Sequence, residues 1–116
     1  MALVVVGFCH FTFSVLGADV VLNEVMAVNH TTIVNGGKTP DWIELYNTTS
    51  TPKDLGGMSL SDDAALPRKF VFPANTIVDG NSRIVIWCDD DLGAPGIHTG
   101  FALSATGQRL TLYSAD

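Results

Sequence analysis

The chain has 116 residues, 47% of them hydrophobic and 16% charged, enough for one domain with a single core and too few for a catalytic domain plus an accessory one. Twelve acidic residues against six basic ones give a net charge of −6, and the basic residues are scattered. Arg68 and Lys69 are adjacent and read as a solvated strand end, so the clustered Lys and Arg that would track a phosphate backbone are missing and no nucleic-acid partner is expected.

The first eighteen residues, MALVVVGFCHFTFSVLGA, carry no charged side chain beyond what His10 can acquire, and they end in small residues before Asp19. They read as a secretory signal peptide over residues 1–18, with a cut after Ala18 or Gly17, which predicts a secreted or cell-surface protein with no membrane span after cleavage. A buried strand pair and an uncleaved membrane anchor stay open as alternatives. Against the anchor, the segment is short for a span of about 20 residues, and His10, Thr12 and Ser14 are unwelcome in lipid. If Cys9 leaves with the leader, only Cys88 remains and no internal disulfide can form.

From residue 19 onward, short apolar runs recur between turn residues: VVLNEVMA, DWIELYN, MSLS, KFVFP, RIVIWC, GFALS and RLTLY. The breaks hold Asn35-Gly36-Gly37, Gly56-Gly57 and Asp79-Gly80-Asn81, residues that tolerate positive φ. Seven or so strands at this spacing, with no stretch long enough for a crossover helix, predict an all-β fold of two packed sheets.

Strand alternation sorts the side chains. In DWIELYN it sets Trp42, Glu44 and Tyr46 on one face and Ile43 and Leu45 on the other. Ile84, Ile86 and Cys88 form one inward row and Leu110 and Leu112 another, while Arg83, Arg109 and Thr111 fall on the opposite rows. In that row Cys88 reads as a small buried thiol rather than a nucleophile or ligand. Trp87 points with Arg83, so its face is either covered by a loop or exposes an aromatic.

Several stretches approach known chemistry and miss it. NGGKT, residues 35–39, has Thr32 where a phosphate-binding loop needs its first glycine, and Pro40 removes the following helix, so it reads as a hairpin. GMSLS, residues 57–61, lacks the closing glycine of a nucleophile elbow. The runs Asp62-Asp63 and Asp89-Asp90-Asp91 lack the alternating spacing of a calcium loop and read as solvated loops; no zinc spacing of histidines occurs, and neither metal nor cofactor is expected. Glu44 lacks the second acid, base or metal that hydrolysis requires, so no catalytic residue is assigned. Asn29-His30-Thr31 and Asn47-Thr48-Thr49 are glycosylation sequons, relevant if the host glycosylates in its secretory pathway.

Taken in order, VVLNEVMA, DWIELYN, DLGGMSLSDD, KFVFPANTIVDGNSRIVIW and HTGFALSATGQRLTLYSAD resemble the lamin-tail domain over residues 20–116. FVFPANTIVDGNSRIVIW is similar to the lamin tail itself. DWIELYN, DLGGMSLSDD and HTGFALSATGQ are closer to the secreted bacterial branch, which often accompanies CotH-like kinase, nuclease or hydrolase domains. The resemblance implies an immunoglobulin-like two-sheet sandwich over residues 19–116, lacking its last strand and so leaving RLTLY with an unpaired edge. It implies no catalytic residues, and makes Trp42, Glu44, Tyr46, Phe72, Pro73 and Trp87 parts of the fold pattern, with Glu44 satisfying nearby amides, a lysine or an arginine. The function that follows is a secreted, non-catalytic binding or adhesion module for a protein or a cell-surface polysaccharide. The alternative is an accessory targeting domain of a larger secreted or surface enzyme, with a catalytic domain downstream in the parent chain.

Overall fold

Alternation in DWIELYN has a direct structural outcome: Ile43 and Leu45 are 0% exposed on the inner face of a sheet, while Glu44 and Tyr46 lie half-buried on the other. The computed structural model describes residues 4–5, 12–15 and 19–116. In chain order the strands are β1 (Val4–Val5), β2 (Thr12–Val15), β3 (Val20–Met26), β4 (Asp41–Asn47), β5 (Lys53–Asp54), β6 (Ser59–Ser61), β7 (Phe70–Val71), β8 (Ile77–Val78), β9 (Arg83–Cys88), β10 (Ile97–His98) and β11 (Arg109–Tyr113). The first sheet runs β1-β3-β4-β9-β10, the second β2-β11-β6-β7, and β5 and β8 form a small third. Among the described residues there is no helix.

The core lies between the two large sheets. Val20, Leu22, Val25, Ile43, Leu45, Ile86 and Cys88 come from the first, and Leu60, Leu110 and Leu112 from the second. Phe72, Val78, Leu55 and Leu103 close its ends. Burying a side chain of this size contributes about 1.5–3 kcal/mol, so these two inner faces dominate folding. A β-bulge between Leu22 and Glu24 keeps both Leu22 and Val25 on the inner face of β3. Thr111, on the opposite row, is buried too: its cross-strand partner is Ser61, and residues 62–69 roof that face, with Ser59 Oγ donating to the Pro67 carbonyl at 2.9 Å.

The structure corrects the sequence reading in two places. GFALS is not a strand: the chain pairs one turn earlier, at Ile97–His98, and then turns at Gly100 (φ +77°), whose amide donates to the Asp89 carbonyl at 2.8 Å. Phe101 and Leu103 reach the core from a loop instead. RLTLY has no bare edge, because β2 lies parallel along β11, from Arg109↔Thr12 to Leu112↔Val15. The leader reading of residues 1–18 falls outside the described residues except at 4–5 and 12–15, which are β1 and β2.

Candidate functional site

A second apolar cluster, Met26, Trp42 and Trp87 with Ile33 and Val85 against it, sits on the outer face of β3, β4 and β9. Cross-strand registry makes it: Met26 pairs with Trp42 and Trp42 with Trp87. Of the two arrangements the sequence left open for Trp87, the covered one is found, at 8% exposure.

Residues 27–40 and 89–98 border this cluster, and buried polar side chains hold them. Asn29 is 5% exposed; its amide donates to the carbonyls of Ile33 (2.6 Å) and Pro40 (2.9 Å), and its side-chain oxygen accepts from Thr32 N (3.1 Å). Asp41 accepts the backbone amides of Asn29 and Leu103, and burial nonetheless holds its carboxyl above the ordinary range. Asn35 and Lys38 close a two-residue hairpin by paired 2.9 Å backbone bonds, with Gly36 (φ +56°) and Gly37 (φ +77°) in the left-handed region that a tight hairpin turn demands.

The opposite loop is clamped by His98, whose side chain is 2% exposed. Nδ1 meets Asp89 Oδ1 at 2.5 Å and Nε2 meets the Pro95 carbonyl at 3.1 Å. A carboxylate and a carbonyl both accept, so both ring nitrogens donate and the ring is an imidazolium. Burial pulls its pKa down, but the bonds to Asp89 and Pro95 and the charges of Asp89 and Asp91 outweigh this and raise it. The ring stacks on Trp87 at 6.5 Å between centroids. Gly96 (φ +97°) lies against the same indole, where a Cβ would come within 2.9 Å of Nε1.

The two loops are also tied to each other. Asn35 Nδ2 donates to the Pro95 carbonyl at 2.7 Å, and Lys38 Nζ meets Asp91 Oδ2 at 2.8 Å. The joined surface carries exposed aliphatic side chains, Val34 at 61% and Leu92 at 72%. Here too lie the buried Trp42 indole N–H and Asn35 side-chain oxygen, which have no hydrogen-bond partner among the described residues, a cost of about 1–3 kcal/mol each.

Glu44 lies farther along the outer face. Its Oε1 accepts from Asn23 Nδ2 at 2.6 Å and meets Arg83 Nε at 3.2 Å, and Arg83 in turn lies 4.8 Å over the Tyr46 ring. Glu24 is its cross-strand neighbour, and burial together with the Glu44 charge raises the Glu24 pKa against the opposing pull of Arg83. Phe72 is buried in the core edge-on to Phe70, at 5.0 Å, and Pro73 is exposed, its carbonyl accepting from Thr76 Oγ1 at 2.6 Å.

The asparagines of both sequons face inward. Asn47 is 0% exposed, and its amide nitrogen donates to the carbonyls of Thr51, Val78 and Asp79; Asn29 is likewise turned inward. A glycan on either nitrogen would replace these bonds. The acidic runs are dispersed into separate contacts: Asp62 with Lys69 (2.6 Å) and Gln108 (3.1 Å), Asp89 with His98, Asp91 with Lys38. Among the described residues, no three His, Cys, Asp or Glu side chains are grouped to hold a metal ion. Burial pushes the Cys88 thiol far up, away from thiolate chemistry. The roles of Asp41, Asp89 and His98 were missed. Asp89 and His98 are nine residues apart, and only the β9–β10 pairing brings them together.

No curated protein and no solved structure matches the chain. A family model described as the lamin tail domain matches residues 16–116. That family is a non-catalytic, immunoglobulin-like domain, in keeping with the all-β sandwich and with carboxylates committed to structural contacts. With the match spanning most of its length, this chain belongs to the lamin tail domain family.

Proposed function

We propose that the protein is an exported, non-catalytic module that binds a protein partner through the joined surface of residues 27–40 and 89–98. The observation that carries this reading is the pair of exposed aliphatic side chains, Val34 and Leu92, held on two loops that are bonded to each other. An apolar centre with a polar rim is the common anatomy of a protein interface, and here Lys38, Asp90 and Asp91 supply the rim. Both tryptophans are buried, so neither offers the flat aromatic face on which a sugar ring would stack, which favours a protein over a cell-surface polysaccharide. Unsatisfied buried groups concentrate where function outweighs stability, and Trp42 and Asn35 lie beside this surface.

The test uses the full chain and a double variant, Val34→Asp with Leu92→Asp, which alters exposed loop positions and no strand. Both are screened against extracellular and envelope protein fractions and a panel of cell-surface polysaccharides. The expected result is saturable capture of one protein that the double variant loses. Capture that survives the double substitution, or capture of polysaccharide alone, overturns the reading.

A further inference from the structure

Two sheet edges are filled by residues that precede the family match at residue 16. β1 pairs with β3 at Val4↔Glu24 and Val5↔Val25, and β2 pairs with β11 over four positions, Thr12↔Arg109 to Val15↔Leu112. The second contact is the longer and has a clear consequence. β11 pairs antiparallel with β6 on one side, and β2 supplies its neighbour on the other. Leu110, Thr111 and Leu112 are 0%, 6% and 1% exposed, the burial of an inner strand rather than an edge. Take residues 12–15 away and a row of backbone N–H and C=O groups is left without partners beside the core.

We propose that the outer edge of β11 is an acceptor slot for one extended, uncharged strand laid parallel to it. In this chain residues 12–15 fill it, and an equivalent strand of another polypeptide can take their place when that segment is displaced. The seated strand, residues 12–15, shows the chemistry that fits. It contains no Asp, Glu, Lys or Arg, and neither does the sequence around it from residue 10 to residue 18, so such a strand approaches a chain of net charge −6 without like-charge repulsion. Strand addition draws its affinity from main-chain hydrogen bonds and its selectivity from alternate side chains, both available along a four-residue register. Residues 16–19 are the whole link between β2 and β3, so the tethered strand has a high effective concentration and outcompetes a strand in solution. If export removes residues 1–18, the same edge is open in the exported form. This surface is separate from the loops of the proposed binding function and does not depend on them.

The test compares the 116-residue chain with its Ser14→Pro variant, since proline within β2 removes a backbone donor and interrupts the ladder. The probe is a labelled synthetic peptide of residues 10–18. In the unmodified chain the β11 amides exchange as slowly as those of β4, and the peptide is not captured. In S14P, β11 exchange accelerates by about tenfold or more while β4 and β9 keep their protection, and the variant captures the peptide but not a copy carrying proline at position 14. If S14P alone fails to fold, the peptide restores the fold. Loop-like exchange of β11 in the unmodified chain, a folded S14P that does not capture the peptide, or an unfolded S14P that the peptide does not rescue each overturns the proposal. So does a concentration-dependent S14P dimer that excludes the peptide, because each copy carries proline at position 14 and the edge is then covered by something other than the proposed strand. Adding V34D and L92D leaves peptide capture unchanged, which keeps failure of the loop surface distinct from failure of the slot.

Discussion

Asn47, at the end of β4, is the hub where three segments meet, and Asn47→Ala removes it without touching the apolar core. Its amide shares two hydrogens among the carbonyls of Thr51 (2.8 Å), Val78 (3.0 Å) and Asp79 (3.1 Å). Its oxygen accepts from Thr49 N at 3.0 Å and Thr49 Oγ1 at 2.8 Å. Four bonds at about 1 kcal/mol each give about 4 kcal/mol. Water can reach the exposed Thr51 and Asp79 ends and recovers part of this, whereas the bond to Val78 is fully buried and its loss costs the most. The expected destabilisation is about 3–4 kcal/mol, a large share of the roughly 5–15 kcal/mol available to a domain of this size. Urea unfolding followed by circular dichroism should show the midpoint falling by about 1–3 M at an unchanged slope. Asn47→Asp keeps the Thr49 bonds but turns a charged acceptor toward carbonyl oxygens, and should be at least as damaging. A loss under about 1 kcal/mol for N47A would refute the hub argument.

Three further outcomes follow from the same geometry. Glu44→Gln should cost about 1 kcal/mol and lower the Glu24 pKa, since the Glu44 charge helps raise it; carboxyl chemical shifts followed against pH check this, and an unmoved Glu24 titration contradicts it. His98 is raised from its ordinary 6.5, so its contribution to stability is complete below about pH 6.5 and is lost as pH climbs through the raised folded value. The melting temperature should therefore fall across that alkaline limb, and His98→Asn should remove this slope. Gly80→Ala should destabilise by about 2 kcal/mol or more, measured by urea unfolding, because its methyl would overlap the Ser50 carbonyl and the Thr51 amide.

Local chemistry made most of the sheet frame legible. Period-two alternation placed Ile43, Leu45, Ile86 and Leu110 inside, and Asn35-Gly36-Gly37 announced a turn whose two glycines both take positive φ. GFALS misled because an apolar run specifies burial, not a ladder: Phe101 and Leu103 are drawn to the core while Gly100 turns the backbone away from β9. The short strands β5 and β10 were missed for the converse reason, as two residues carry too little periodicity to register. The loop site was the least legible. Asn29 and Asn47 stood out as sequons, and the triplet records sequence and not the direction of the amide. Asp89 and His98 looked like a solvated acid and an isolated histidine until pairing of β9 with β10 brought them to 2.5 Å.

Those missed residues share one physical role. Asn29, Asn47 and His98, with the half-buried Asp41, are polar groups wholly or partly taken out of water and bonded to the backbone of a loop, which normally costs stability unless every partner is met. Here the partners are met by loop carbonyls and amides, so the side chains substitute for the ladder bonds that irregular segments lack. A loop fixed in this way loses little further freedom when it meets a partner, and the ordering of each mobile side chain at an interface otherwise costs about 0.5–1.5 kcal/mol. Rigid loops on a sandwich are therefore better suited to stable recognition than floppy ones, and the His98 contacts to Asp89 and Pro95 tie one of them down. Loosening residues 89–98 at alkaline pH should weaken partner binding in step with the His98 titration, while capture of a strand along β11, which involves none of these groups, should not change.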